Sequence, residues 1–217
     1  RVGVGGVLIM EVDQGAPLGP VSFASAEWRE LFKHVVAEAN RLGLKVNMNN
    51  DAGWTGSGGP WVPPELAMQR LTWSEVTVEG SQRIEMRLPQ PATNLGFYKD
   101  IAVLAFPFPE RPAAIPNWDA KAFFREYYQP FWIPAEYPQA EKESVIPFDR
   151  VLDLTSKLQE GGRLVWDVPS GRWTVVRFGH TPTGAQNAPS PASGRGLECD
   201  KLRKDAVEFH FNSFIGK

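Results

Sequence analysis

The stretch "LKVNMNNDAGWTGSGGPW", residues 44–61, decides the predicted fold, because it joins an apolar strand to a loop rich in glycine and tryptophan. The apolar run at its start predicts a short strand, which ends in amides and a carboxylate. Glycine lets a backbone turn sharply or approach a ligand, whereas a large indole in a loop has no core to fill. Trp54 and Trp61 are therefore the first candidates for a binding surface.

The residues before this stretch predict a strand and a helix. "GVLIMEV", residues 6–12, is short, apolar and bounded by glycine and acid, which predicts a fully buried strand. Ser25 is a suitable N-cap, apolar residues follow at helical spacing, and Gly43 ends the helix. Strand, helix and strand in this order predict a parallel, right-handed unit. The loop of residues 49–61 then lies at the carboxyl end of a parallel strand, where α/β folds place their active sites.

The remaining segments complete the predicted architecture. Residues 63–71 predict a short helix, and the segments from residue 74 to about 190 are strand-like, with residues 107–143 as irregular structure on the surface. We therefore predict an α/β plus all-β chain. Residues 1–73 form a partial (β/α)8 barrel, residues 74–192 an inserted antiparallel β-sandwich, and residues 193–217 a return to the barrel with a strand end and a helix.

Composition and short motifs exclude several classes of function. A net charge of -2 and a pI near 6.0 give no electrostatic footprint for nucleic acid, and no apolar run is long enough for a membrane span. The single cysteine, Cys199, permits no internal disulfide. His34, His180 and His210 lie in no metal-binding spacing. The sequence also lacks a dinucleotide fingerprint, a P-loop and a nucleophile elbow.

Carboxylates supply the candidate catalytic groups. Glu198 and Asp200 lie two residues apart in "GLECDK", so on an extended strand both side chains leave the same face. Such a pair suits protonation of a leaving oxygen, activation of water or coordination of calcium. Equally, Asp200 could cap the next helix while Glu198 pairs with Lys201 or an arginine. Glu11 and Asp13 also end a strand, but acids there often only meet solvent, which is the favoured interpretation for them.

The loop itself supplies candidate sugar-binding groups. Asn49 and Asp51 could hydrogen-bond to sugar hydroxyl groups, and Trp54 and Trp61 could stack on the apolar face of a sugar ring. The alternative for the tryptophans is packing between the barrel and the inserted sandwich.

Several of these segments together resemble the α-L-rhamnosidase-type enzymes of glycoside hydrolase family 106. They are "RVGVGGVLIMEVDQGAPLGPVSFASAEW", "EANRLGLKVNMNNDAGWTGSGGPWVPPELAMQ", "YKDIAVLAFP", "WDVPSGRWTVVRFGHTPTG" and "GRGLECDKL". The resemblance implies an early portion of a (β/α)8 catalytic domain from a longer polypeptide. It further implies an inverting carboxylate mechanism assisted by calcium, a polysaccharide substrate, and a periplasmic or secreted parent protein.

The sequence therefore predicts part of a glycoside hydrolase that is inactive by itself and acts with the remainder of the parent polypeptide on carbohydrate. Its catalytic candidates are Glu198 and Asp200, and its sugar-binding candidates are Asn49, Asp51, Trp54 and Trp61. Two alternatives stay open: a non-catalytic carbohydrate-binding module, and a structural domain in which the tryptophans pack against partners.

Overall fold

The computed structural model describes residues 3–109, 111 and 141–217, so most of the segment expected to be irregular, residues 107–143, lies outside the described residues. The chain divides into two compact units: Arg1–Met68 with Gly184–Lys217, and Gln69–Thr183. The helices are α1 (Ala26–Leu42) and α2 (Lys204–Phe214). The strands are β1 (Gly6–Glu11), β2 (Lys45–Ala52), β3 (Gly58–Gly59), β4 (Gln69–Glu79), β5 (Gln82–Arg87), β6 (Lys99–Pro107), β7 (Leu152–Asp153), β8 (Leu158–Gln159), β9 (Arg163–Val168), β10 (Arg172–Pro182) and β11 (Leu197–Glu198).

The first unit contains the predicted strand, helix and strand. β1 and β2 pair in parallel, with α1 between them in sequence. The hydroxyl of Ser25 accepts a hydrogen bond from the backbone N–H of Trp28, which caps the first turn of α1. Gly43 ends the helix in the left-handed conformation, at φ 71°. The predicted helix limits and the parallel pairing are confirmed.

The partial (β/α)8 barrel with an inserted antiparallel β-sandwich is wrong as a fold class. In the described part of the chain there are two helices and several small sheets, and the parallel sheet has only β1 and β2. A barrel needs a closed ring of parallel strands. The strand–helix–strand pattern does not imply such a ring, because every parallel α/β fold contains it. The sequence pattern identified the unit correctly but carried no information about closure.

Two local predictions in the first unit are also wrong. β1 was expected to be fully buried, yet Leu8 is 58% exposed and Met10 is 46% exposed. The segment at residues 63–71 forms only a single 3-10 turn, Pro64–Leu66, before β4 begins at Gln69. Pro63 and Pro64 are compatible with the N-terminus of a helix. The chain nevertheless becomes extended within a few residues, because β4 pairs antiparallel with β10.

The second unit is built from two antiparallel sheets. One has the strand order β4-β10-β6-β7 and the other β5-β9-β8. Apolar side chains from both sheets form one core, in which Val103 and Leu164 are fully buried and Trp166 packs edge-to-face on Trp173 at 5.6 Å. Within the described residues, neither helix of the chain is long and apolar enough to cross a membrane.

Candidate active site

The loop after β2 is held by the buried carboxylate of Asp51, which is 1% exposed. One oxygen, Oδ2, accepts hydrogen bonds from the Thr55 hydroxyl at 2.9 Å and from the backbone N–H groups of Ser57 at 3.0 Å and Gly58 at 3.2 Å. The other oxygen, Oδ1, accepts from the Asn49 amide at 2.9 Å. A buried carboxylate is tolerated only when it is hydrogen-bonded in this way. Asp51 therefore organises the loop from inside.

A local irregularity in the parallel sheet brings Asn49 and Asp51 into contact. Ile9 pairs with Met48 but Glu11 pairs with Ala52, so two steps along β1 correspond to four steps along β2. Extra residues of this kind re-aim side chains at the end of a strand. The Asn49 amide consequently reaches both Asp51 and the carbonyl oxygen of Gly53, the latter at 2.6 Å.

Glu198 ties the second predicted segment to the same loop. It is 5% exposed, and its Oε2 accepts hydrogen bonds from the Ser57 hydroxyl at 2.8 Å and from Lys201 Nζ at 2.7 Å. Burial raises the pKa of Glu198, but hydrogen bonds from Lys201, Ser57 and Thr55 outweigh that effect and leave the pKa below its ordinary value. A lowered pKa suits a hydrogen-bond acceptor better than a proton donor.

Asp200 does not continue the strand. β11 ends at Glu198, and the Asp200 Oδ1 accepts a hydrogen bond from the backbone N–H of Leu202 at 3.1 Å. This contact closes the turn that leads into α2. The structure therefore places Asp200 in a turn and Glu198 under the loop, and the catalytic role expected of the pair stays a prediction.

Trp61 lies in the packing of the first unit. Its indole N–H donates to His210 Nδ1 at 3.0 Å, and its ring stacks on Phe214 with centroids 5.6 Å apart. Because an indole N–H can only donate, Nδ1 of His210 must accept, and Nε2 carries the proton that it shares with the carbonyl oxygen of Asn50 at 2.8 Å. Trp61 and His210 together join the end of β2 to α2.

Trp54, in contrast, is presented to solvent. Its side chain is 58% exposed, while its backbone N–H donates to the carbonyl oxygen of Ala188 at 3.1 Å. The preceding residue must be glycine, because Gly53 has φ 99° and an added Cβ would lie 2.7 Å from that same carbonyl oxygen. The backbone under the indole is thus fixed although the ring itself is free to contact a ligand.

Sequence reasoning missed Asn187, which lies in a segment interpreted only as a loop. It is 1% exposed; its amide donates to the carbonyl oxygens of Ala52 at 2.7 Å and Gly194 at 2.9 Å, and its Oδ1 accepts from the Gly196 N–H at 2.8 Å. Asn187 thereby clamps the loop of residues 184–196 onto the end of β2. A single asparagine in a loop rich in serine, proline and glycine gives no sequence signal for such a role.

A cavity of about 410 Å³ opens at the carboxyl end of β1. The residues that line it include Glu11, Asp13, Ser22 and Ser193, together with apolar residues such as Phe23. Gly53, next to Trp54, donates its N–H to the carbonyl oxygen of Glu11 at 2.7 Å, so the backbone that carries the exposed indole is hydrogen-bonded to a residue that lines the cavity. A cavity of this size with a few polar groups is typical of a small-molecule site.

Calcium, which the resemblance implies, is not explained by these residues. Nowhere in the described ranges do three or more His, Cys, Asp or Glu side chains come together in a group that could hold a metal ion. Asp51 and Glu198 already accept hydrogen bonds from protein donors. A calcium ion in the parent protein stays a prediction.

Comparison with known proteins defines the class: the chain is a glycoside hydrolase family domain. The family model described as alpha-L-rhamnosidase, that of glycoside hydrolase family 106, matches residues 1–106 and 109–217, and the chain belongs to this family. The resemblance inferred from the sequence segments is confirmed.

Two relatives are much longer than this chain. A protein of Formosa agariphila named "Putative beta-glucuronidase" is 42% identical over 217 residues, which are 99% of this chain and 18% of that protein. The structure of a rhamnosidase from Novosphingobium sp. PP1Y aligns with a TM-score of 0.76 and 21% identity, over 99% of this chain and 34% of that one. The second likeness shows a shared fold. The chain thus spans less than a fifth of the length of the curated relative that it matches.

Proposed function

We propose that the parent protein is an inverting glycoside hydrolase that removes terminal α-L-rhamnosyl groups from polysaccharides, and that this chain supplies part of its sugar-binding surface. The observation that carries the proposal is the exposed indole of Trp54 on a rigid loop beside a cavity large enough for a small ligand. Sugar rings present an apolar face to such an indole, while their hydroxyl groups need polar partners.

The family match supports hydrolysis, and the hydrogen bonds that Asp51 and the Oε2 of Glu198 accept support separate roles for the residues of the site. Asp51 and Asn49 keep the loop in shape, and Glu198 holds Ser57 and Lys201 in place. An inverting mechanism needs two carboxyl groups separated by roughly 6.5–9.5 Å, with water between them. We propose Glu198 and Asp200 as candidates for that chemistry in the parent protein, which we expect to be periplasmic or secreted.

The substrate is tested directly with the full-length parent protein. We expect release of 4-nitrophenol from 4-nitrophenyl α-L-rhamnoside, and NMR of the first sugar formed should show the inverted anomer. Because the Formosa relative carries the name of a glucuronidase, 4-nitrophenyl β-D-glucuronide is the matched second substrate. Hydrolysis of the glucuronide alone would replace rhamnoside by glucuronide in the proposal, and hydrolysis of neither would refute it.

The Trp54→Ala variant tests the sugar platform. Loss of one stacking contact of about 1 kcal/mol predicts a KM roughly fivefold higher with the melting temperature unchanged, because the indole is exposed. Trp61→Phe is the matched control: it keeps an aromatic ring in the packing but shortens the side chain to one ring and removes the indole N–H bonded to His210. A KM that rises equally in both variants, or in neither, would show that Trp54 is no platform.

A further inference from the structure

Glu11 lines the cavity at the carboxyl end of β1 with one carboxylate oxygen to spare. Its Oε1 accepts a hydrogen bond from the indole N–H of Trp28 at 2.6 Å. With the described residues, the other oxygen, Oε2, makes no hydrogen bond. A carboxylate can accept several hydrogen bonds, so Glu11 keeps capacity for a ligand that donates.

Glu11 differs from the carboxylates favoured by the sequence patterns in the group that holds it. Asp51 has both oxygens bonded to the loop, and Glu198 is paired with Lys201. Asp13, which also lines the cavity, uses its Oδ1 to accept from the N–H of Gly15 within its own turn. Glu11 is held instead by a rigid aromatic group from another element.

Trp28 fixes the direction of the Glu11 carboxylate. Its ring stacks on Phe32 with centroids 5.4 Å apart and planes 3° apart, and packs edge-to-face on Phe23 at 5.2 Å. These contacts pack the indole between two other rings, and its N–H donates to Oε1 from that position. Preorganisation of this kind lowers the entropic cost of binding a polar ligand.

We propose that the cavity beside β1 is a sugar subsite, in which the free Oε2 of Glu11 accepts a hydrogen bond from a ring hydroxyl group of the glycoside and Trp28 acts as a positioning residue. The proposal rests on the proposed function and adds a binding group to it. Hydroxyl groups are the donors that every neutral sugar carries, and a charged acceptor makes the stronger hydrogen bond with them. The backbone link through Gly53 connects this contact to the Trp54 platform.

The test uses the full-length parent protein, 4-nitrophenyl α-L-rhamnoside and its monodeoxy analogues. Glu11→Gln keeps an oxygen for Trp28 but removes the charge, and we expect a KM about tenfold higher with kcat within about twofold, because hydrogen bonds to charged groups contribute roughly 1.5–3 kcal/mol. Trp28→Phe, which keeps a ring but frees the carboxylate, should raise KM by less. Glu75→Gln, an exposed carboxylate on β4, is the control expected to match the wild type.

One monodeoxy analogue identifies the contact. The wild type should lose about as much affinity for that analogue as Glu11→Gln loses for the parent glycoside, and the variant should lose nothing further. A KM unchanged in Glu11→Gln, or penalties that add for every analogue, would overturn the proposal.

The proposed function can fail separately. If the wild type hydrolyses neither aryl glycoside, calorimetric titration with L-rhamnose and D-glucuronic acid still tests the subsite. Binding that is weakened in Glu11→Gln and kept in Glu75→Gln would support it, and no binding to the wild type would refute it.

Discussion

At the scale of single residues, the hydrogen-bond partners of each carboxylate separate structural from ligand-facing groups. Asp51 and Glu198 are almost fully buried and serve the loop, whereas Glu11 keeps an oxygen free. The two tryptophans separate in the same way: Trp61 is bonded to His210, and Trp54 is exposed. Identical residue types within a few positions therefore play different roles, which only their partners reveal.

Glu198 should make the stability of the protein depend on pH. Its folded-state pKa lies below the ordinary value of 4.5, so its stabilising effect is present above that pH and is lost as the pH falls through the folded pKa. We expect Glu198→Gln to lower the melting temperature of the parent protein at pH 7, and the difference from wild type to shrink as the pH falls below 4.5.

The same variant tests catalysis. If Glu198 acts in the chemistry, kcat should fall by orders of magnitude at a temperature where the variant is folded; if it only positions the loop, the loss should follow the loss of stability. A stability difference that is constant from pH 7 to pH 3 would contradict the assigned pKa direction.

At the scale of elements, the loop of residues 52–61 is held by hydrogen bonds to residues both near to it and far from it in sequence. Asp51 accepts a hydrogen bond from the backbone N–H of Ser57, and the carbonyl oxygen of Ala188 accepts one from the backbone N–H of Trp54. Gly53 combines a left-handed φ with a close approach to the neighbouring segment, which other residues cannot satisfy. The sequence pattern correctly indicated a glycine-dependent turn, but only the contact with Ala188 shows which glycine is indispensable.

Gly53→Ala and Gly56→Ala form a matched pair. Both residues have positive φ, at 99° and 82°, but an added Cβ meets the Ala188 backbone at 2.7 Å only at position 53. We expect Gly56→Ala to cost about 1 kcal/mol and Gly53→Ala at least about 2 kcal/mol in local opening free energy. Hydrogen exchange of the Ser57 and Gly58 amides measures this opening, since both donate to Asp51. Equal protection in the two variants would contradict the close approach.

At the scale of the whole molecule, the chain corresponds to a small part of the relatives that it matches. It spans 18% of the Formosa relative, and apolar side chains on β1 and α1 are exposed, among them Leu8 and Leu31. Exposed apolar side chains of this kind favour association with other surfaces. The resemblance to family 106 predicts that the chain belongs to a longer polypeptide, and the exposed side chains agree with that prediction.

The 217-residue chain by itself is therefore expected to be inactive and to associate. Light scattering should show particles larger than a monomer, and 4-nitrophenyl α-L-rhamnoside should stay intact. The parent protein in the same buffer, with and without a calcium chelator, is the comparison; loss of its activity on chelation would support the calcium prediction. A monomeric chain with parental kcat would show that the remainder of the parent polypeptide is dispensable.

The sequence by itself determined the caps of α1, the parallel pairing of β1 with β2 and the β-rich middle segment, because each depends on residues close together in the chain. It also determined the family, because several long segments match the family's sequences. Tertiary structure alone decided the rest. The bond from Ser57 to Glu198 spans 141 positions, and the clamp from Asn187 to Ala52 spans 135. Periodicity reports only which face of an element is apolar, so it could neither predict these partners nor show that no barrel closes among the described residues.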